Sequence, residues 1–303
     1  MRIIDYIFAA RPMLHLPVWS IYLVSLHYHH RLSGDRFLWT DLFILACLTL
    51  MGAAACYINQ VYDCESDRVN RKVGFLQNDI LTEKNIKVMF VSVSAIAAGA
   101  AALISALTFF IMLLLFVLGY LYSAPPWRLK DRAVGGFAVN AFGIGFVVPM
   151  LVMPDISFHN AGLLGWDNPF YFFLTVGGIY LLTTLPDREG DERIGKKTPA
   201  VIFPRVVVVI AATVFMLLSG WVAFYSGHIL LMYLSLVAVV TTVLMLFVRG
   251  TRYELFAAKL PILLLTLLAG YFFWGYILFI VAIIFSTRIY YRKRFAITYP
   301  ELA

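Results

Sequence analysis

The chain has 303 residues, 62% of them hydrophobic and 14% charged, against about 25% charged in an ordinary soluble domain. That excludes a soluble enzyme and leaves a polytopic, all-helical membrane protein, read here as a single domain over residues 1–303. The net charge of +7 then reflects membrane topology, not nucleic-acid binding. Cys47, Cys56 and Cys64 are too few and too scattered for a disulfide framework or a metal knuckle.

Runs of about 20 apolar residues span a bilayer. Nine are predicted, near 12–31, 38–61, 88–106, 108–123, 134–153, 169–186, 201–226, 229–248 and 260–286. The opening "MRIIDYIFAARPMLHLP" has no small-residue cleavage site and reads as a mature N-terminus lying along the interface. Its Arg11, before Pro12, either faces the mouth of the bundle or anchors the first helix. "HYHHR" places His27, His29 and His30 in an interface loop after that helix.

The second run ends in "NQVYDCESDRVNRK". In a helix, residues four apart share a face, so Asn59, Asp63 and Asp67 form one stripe of oxygen ligands, followed by Arg68, Arg71 and Lys72. The loop after the fourth run, "YSAPPWRLKDR", supplies Tyr122, Ser123, Arg128 and Lys130, with Lys130 fixed by a short Pro-Pro loop. Asn140 lies inside the fifth run, either bonded to another helix or lining a cavity. The sixth run ends in "TTLPDREGDERIGKK", where Asp187 and Asp191 repeat the four-residue spacing and Arg193, Lys196 and Lys197 follow. The last run carries Gly270 and Gly275 and is one tilted helix or a broken pair, giving nine spans or ten.

Helices 1–4 and 5–8 therefore read as two copies of a four-helix unit, with helix 9 added and Thr183 standing where Asn59 stands in the first copy. Of the 24 lysines and arginines, 18 fall on the side of the N-terminus and the loops near 62–87, 124–133, 187–200 and 249–259. The other side holds Arg31, Arg36 and the C-terminal Arg288, Arg292, Lys293 and Arg294. Positive charge favours the cytoplasm, which assigns both acidic motifs to cytoplasmic cap loops of a cell-membrane protein. The C-terminal cluster is a local exception that disappears if the last run is two helices.

Acids gathered at helix ends repel one another and call for a cation. Mg²⁺ binds one or two carboxylates plus phosphate oxygens, so the two acidic clusters suit two or more Mg²⁺ ions around a diphosphate, with arginine and lysine on the phosphates. A transporter also carries intramembrane acids in repeats, although here they gather at one face near basic loops. A CDP-alcohol phosphotransferase uses carboxylates and Mg²⁺ too, but its Asp-Gly…Ala-Arg opening is absent from both motifs.

"NQVYDCESDRVNRK" resembles the NxxxDxxxD motif of the UbiA superfamily of intramembrane prenyltransferases, and "DREGDERIGKKT" its second DxxxD motif. "YSAPPWRLK" is similar to the Tyr-Ser segment and following lysine of members such as chlorophyll synthase. The resemblance implies a nine-helix bundle around a central cavity open to lipid. It also implies Mg²⁺-dependent transfer of a prenyl chain from an isoprenyl diphosphate to an aromatic or lipid-like acceptor. The metal positions map onto Asn59, Asp63, Asp67, Asp187 and Asp191, and the diphosphate contacts onto Arg68, Arg71 and Lys130. Tyr122 is the ring singled out to face an allylic cation, with Ser123 beside it. Many members follow the first motif with Arg-Pro-Leu and a glycine; here the segment reads "GFLQNDILTEKN", so acceptor specificity does not transfer by analogy.

Overall fold

The structure is a computed structural model that describes residues 3–34, 37–69, 74–153 and 166–300. These residues are almost wholly helical. A bilayer offers no water to backbone N–H and C=O groups, so apolar spans satisfy them internally. The helices are α1 (Ile3–Ala9), α2 (Leu16–Ser33), α3 (Trp39–Val69), α4 (Glu83–Ile104), α5 (Ala106–Ser123) and α6 (Ala133–Met150), then α7 (Asp167–Thr183), α8 (Arg188–Arg193), α9 (Arg205–Tyr225), α10 (Ile229–Leu244), α11 (Thr251–Phe272) and α12 (Trp274–Phe295). Among the described residues, eight stretches are long and apolar enough to cross a membrane: Ile3–Ser33 taken together, α3, α4, α5, α6, α9, α11 and α12. The apolar α10 is shorter, at 16 residues. The protein is an integral membrane protein.

Each of the first eight expected runs coincides with a helix. The last run is the broken pair: α11 and α12 are separated by Phe273 alone, at φ −130° and ψ 82°. The expected loop at His27–His30 is instead the last turns of α2, which ends at Ser33. Nothing in "HYHHR" stops a helix, whereas Gly34 takes φ 77°, the left-handed conformation that commonly ends one. Among the described residues no group of three or more His, Cys, Asp or Glu is placed to hold a metal by itself.

The chain forms two units. One contains residues 1–20, 37–126 and 269–303, the other residues 21–36 and 127–268. The division at 126/127 falls between α5 and α6, where the second copy of the repeat is expected to begin. The first unit's core joins Phe8, Tyr57, Phe75, Ile86, Tyr290 and Tyr291. Here Arg294 sits on Asp5, with Nε 3.2 Å from Oδ1, so the basic C-terminal end of α12 lies at the N-terminal end of the unit.

The second unit's core is built from Leu182, Val208, Val209, Ala212, Met245 and Ala258. Helices α6 and α7 approach so closely that a Cβ on Gly145 would stand 2.5 Å from the Phe172 carbonyl oxygen, the close backbone packing that small residues allow in membranes. Residues Val139–Val147 of α6 are π-helical. Asn140 Nδ2 donates to the Gly136 carbonyl of the same helix at 2.9 Å, so this bond closes on its own helix.

Candidate active site

In the first unit α3 runs uninterrupted for 31 residues. At about 1.5 Å per residue this exceeds the roughly 30 Å hydrocarbon core, and most of the charged residues of α3 gather in its last turns. Asn59, Asp63 and Asp67 lie there on one face. Asp67 is buried, with 7% exposure, while Asn59 and Asp63 are half-buried. Gln77 Nε2 donates to Asp67 Oδ2 at 3.4 Å, and an Arg11 Nη2 stands 3.7 Å from the same oxygen.

Arg11 reaches Asp67 because the chain breaks between α1 and α2, with Arg11 left-handed at φ 52°. That break exposes the last carbonyls of α1, which need partners. Tyr57 Oη donates to the Tyr6 carbonyl at 2.8 Å, and Gln60 Nε2 donates to that of Ala9 at 2.5 Å. His15 Nε2 lies 2.9 Å from the Ala10 carbonyl, which makes it the protonated ring nitrogen.

In the second unit α7 stops at Thr183 and α8 begins at Arg188, and Pro186, which has no N–H to donate to the helical ladder, stands between them. The Asp191 N–H still donates to the Asp187 carbonyl at 2.9 Å, so the four-residue spacing survives as one helical turn. Asp187 is exposed. Asp191 lies 3.4 Å from Lys196 Nζ and accepts from the Thr198 hydroxyl at 3.2 Å. Thr183 is exposed, and its hydroxyl donates to the Tyr180 carbonyl at 2.8 Å.

The loop holding Lys130 is tied to this half-site. Leu129–Asp131 is a 3-10 turn entered through a left-handed Arg128 at φ 38°, whose Nε donates to Asp131 Oδ2 at 2.7 Å. The Lys197 N–H donates to the Asp131 carbonyl at 2.8 Å, Arg132 and Lys197 form an isolated parallel β-bridge, and Lys196 Nζ is 4.0 Å from Asp131 Oδ1. Lys130 is buried at 8% exposure, unusual for lysine.

The other expected residues separate clearly. Arg68 and Arg193 are exposed and pair with Glu65 at 3.6 Å and Glu189 at 3.7 Å, so they occupy solvated helix faces. Arg71 and Lys72 lie outside the described residues. Tyr122 is half-buried at the end of α5, and the neighbouring Ser123 Oγ is buried without a hydrogen-bond partner among the described residues. Sequence reasoning missed Gln77, Asp131 and Thr198. Asp131 had a faint signal, three residues from Arg128; Gln77 and Thr198 had none.

Each half-site offers carboxylates and neutral oxygens, a donor set suited to hard Mg²⁺ and not to thiolate- or imidazole-seeking metals. Two acids per half are what Mg²⁺ takes when phosphate oxygens and water complete its shell.

The fold and these paired acids and bases define a helical membrane protein with one acidic motif in each unit. Residues 17–255 match the model of the UbiA prenyltransferase family, and the chain belongs to that family. It is 28% identical over 196 residues to 2-acyl-4-prenylphloroglucinol 6-prenyltransferase of Humulus lupulus, a match covering 57% of this chain and 47% of that one. It is 26% identical over 177 residues to digeranylgeranylglyceryl phosphate synthase of Methanopyrus kandleri, covering 57% and 60%. The matches thus span less than two thirds of either relative. Among solved structures, a UbiA homolog from Archaeoglobus fulgidus bound to DMAPP and Mg²⁺ superposes with a TM-score of 0.65 at 19% identity, covering 88% of this chain and 98% of the other. A digeranylgeranylglyceryl phosphate synthase structure gives 0.67 at 16%, covering 90% and 98%.

Proposed function

We propose that this protein is a Mg²⁺-dependent prenyltransferase that moves a prenyl chain from an isoprenyl diphosphate to an aromatic or lipid-like acceptor in the membrane. The observation that carries the reading is the repeated Asp-x-x-x-Asp, each copy with a partly buried acid beside a side-chain cation: Asp67 with Arg11, and Asp191 with Lys196. Asn59, Asp63, Asp67, Asp187 and Asp191 would hold the metal. Mg²⁺, when bound, neutralises the charge that develops on the departing diphosphate.

The chain's own residues supply the rest. The buried Lys130, held by the turn that Asp131 anchors, presents a fixed positive charge to the diphosphate. Tyr122 presents a ring face toward an allylic cation. The apolar helices exclude water from that cation and let the prenyl tail remain in lipid. Breaking the allylic C–O bond leaves the electron pair on diphosphate. The acceptor then forms the new bond to carbon and loses a proton.

The two kinds of relative, one named for a phloroglucinol and one for a glyceryl phosphate, frame the two acceptor classes. The acidic motifs are assigned to the cytoplasmic side by the distribution of lysine and arginine. With the native cysteines replaced, cysteines at Glu65 and Glu189 should label from one side of the membrane and one at Ser33 from the other.

The activity is tested by incubating purified protein with labelled geranyl diphosphate, Mg²⁺ and membrane extract. Mg²⁺-dependent pyrophosphate release and a prenylated product identified by mass are expected. A transporter would release no pyrophosphate.

A further inference from the structure

The family match ends at residue 255 and begins at residue 17, and the chain ends outside it meet in the first unit. Asp5 is fully buried. It accepts from the Tyr290 hydroxyl at 2.6 Å and faces Arg294 through Nε at 3.2 Å and Nη2 at 3.3 Å. A carboxylate so enclosed is tolerated only when charge and hydrogen bonds are both matched, and a two-pronged arginine supplies both. The Phe8 ring stacks on Tyr290 with centroids 4.0 Å apart. The same part of α12 holds the loop after the first motif: Phe75 packs on Tyr290, Tyr291 and Phe295 at 6.2, 6.4 and 5.4 Å.

Both clamped segments carry a partner of Asp67. Arg11 follows α1 by two residues, and Gln77 follows Phe75 by two. The Arg11 contact has no local cause, since Arg11 and Asp67 are far apart in sequence, whereas Gln77 reaches Asp67 from the loop ten residues on. Beyond α12, the Tyr299 ring lies 4.9 Å from that of Tyr291, so the tail packs at the same corner.

We infer that the Asp5–Tyr290–Arg294 clasp is a positioning device for the first half-site, through which α12 sets Arg11 and Gln77 on Asp67. The inference rests on the reading of Asp67 as a metal and diphosphate ligand. Asp5, Tyr290 and Arg294 touch no substrate; they act through the segments they hold.

If α12 were only a packing element, its two ends would be equivalent. Tyr276, near the other end of α12, provides the comparison: its hydroxyl lies 3.0 Å from Ser20 Oγ and 3.2 Å from the Leu16 carbonyl. The full-length protein is assayed in nanodiscs for pyrophosphate release from geranyl diphosphate with Mg²⁺ and acceptor, and its thermal unfolding is followed in parallel. Arg294→Gln and Tyr290→Phe should raise KM for geranyl diphosphate about tenfold with kcat nearly unchanged, and Arg294→Lys should recover most of the loss. Tyr276→Phe should lower the unfolding temperature and leave KM alone. An unchanged KM in Tyr290→Phe, the mildest variant and the one to use if Arg294→Gln does not fold, would overturn the inference. So would equal KM increases in Tyr290→Phe and Tyr276→Phe. Asp67→Asn separates the two levels. If it leaves KM unaltered, the reading of the site fails and the clasp with it; if it raises KM while the clasp variants are silent, only the clasp fails.

Discussion

Asp63 and Asp67 stand on the uninterrupted α3, whereas Asp187 and Asp191 follow Pro186 at the break between α7 and α8, Asp187 just before α8 and Asp191 within it. The support differs in the same way. Asp67 draws Arg11 from before α2, far away along the chain, and Gln77 from the loop ten residues on. Asp191 draws Lys196 and Thr198 from within seven residues, and Lys196 in turn stands 4.0 Å from the remote Asp131. A long rigid helix fixes its acids in line but leaves their surroundings to tertiary packing. A helix interrupted by proline folds its own surroundings back onto the acid.

The largest effect expected is shared by both halves. In excess EDTA, affinity for geranyl diphosphate should fall by more than about a hundredfold, because uncompensated acids repel a diphosphate. Titration calorimetry with and without Mg²⁺ measures this, and equal binding in both would remove the metal from the account.

Backbone changes should separate the halves. Cys64→Pro places a proline inside α3 and should cost about 3 kcal/mol or more of stability, seen as a large drop in unfolding temperature. Pro186→Ala acts where the helix is already broken and should leave stability within about 0.5 kcal/mol, lowering only transfer. Equal destabilisation by the two would mean that the break in the second half is not a tolerated feature. Smallest are the neutral partners: Gln77→Ala and Thr198→Val should each weaken donor affinity about fivefold, one neutral hydrogen bond apiece.

What was legible in the sequence follows local rules. Apolar length marked the spans, and four-residue spacing marked both acidic motifs, because a helix brings such residues together regardless of the rest of the fold. The break in the last run was signalled by Gly270 and Gly275 but falls at Phe273. Gly270 instead leaves room for Ile277, into which a Cβ would run. What was not legible depends on contacts remote in sequence. Asp5 and Tyr290 are 285 residues apart, and Arg11 read equally well as an anchor until the left-handed turn aimed it at Asp67. Arg68 shows the converse: it follows the motif by one residue, yet that single step turns it onto the exposed face of α3 beside Glu65.

The central proposal is that the two acidic motifs serve one diphosphate. Asp63→Ala, Asp191→Ala and the double variant, each confirmed as folded by its unfolding transition, are compared for pyrophosphate release under saturating Mg²⁺. Each single change should lower transfer by about a hundred- to a thousandfold, and the double should fall little further, because groups acting as a unit lose nearly everything with the first deletion. An Asp191→Ala variant with near-normal transfer beside an inactive Asp63→Ala would contradict the claim and leave the chemistry to the first half-site alone.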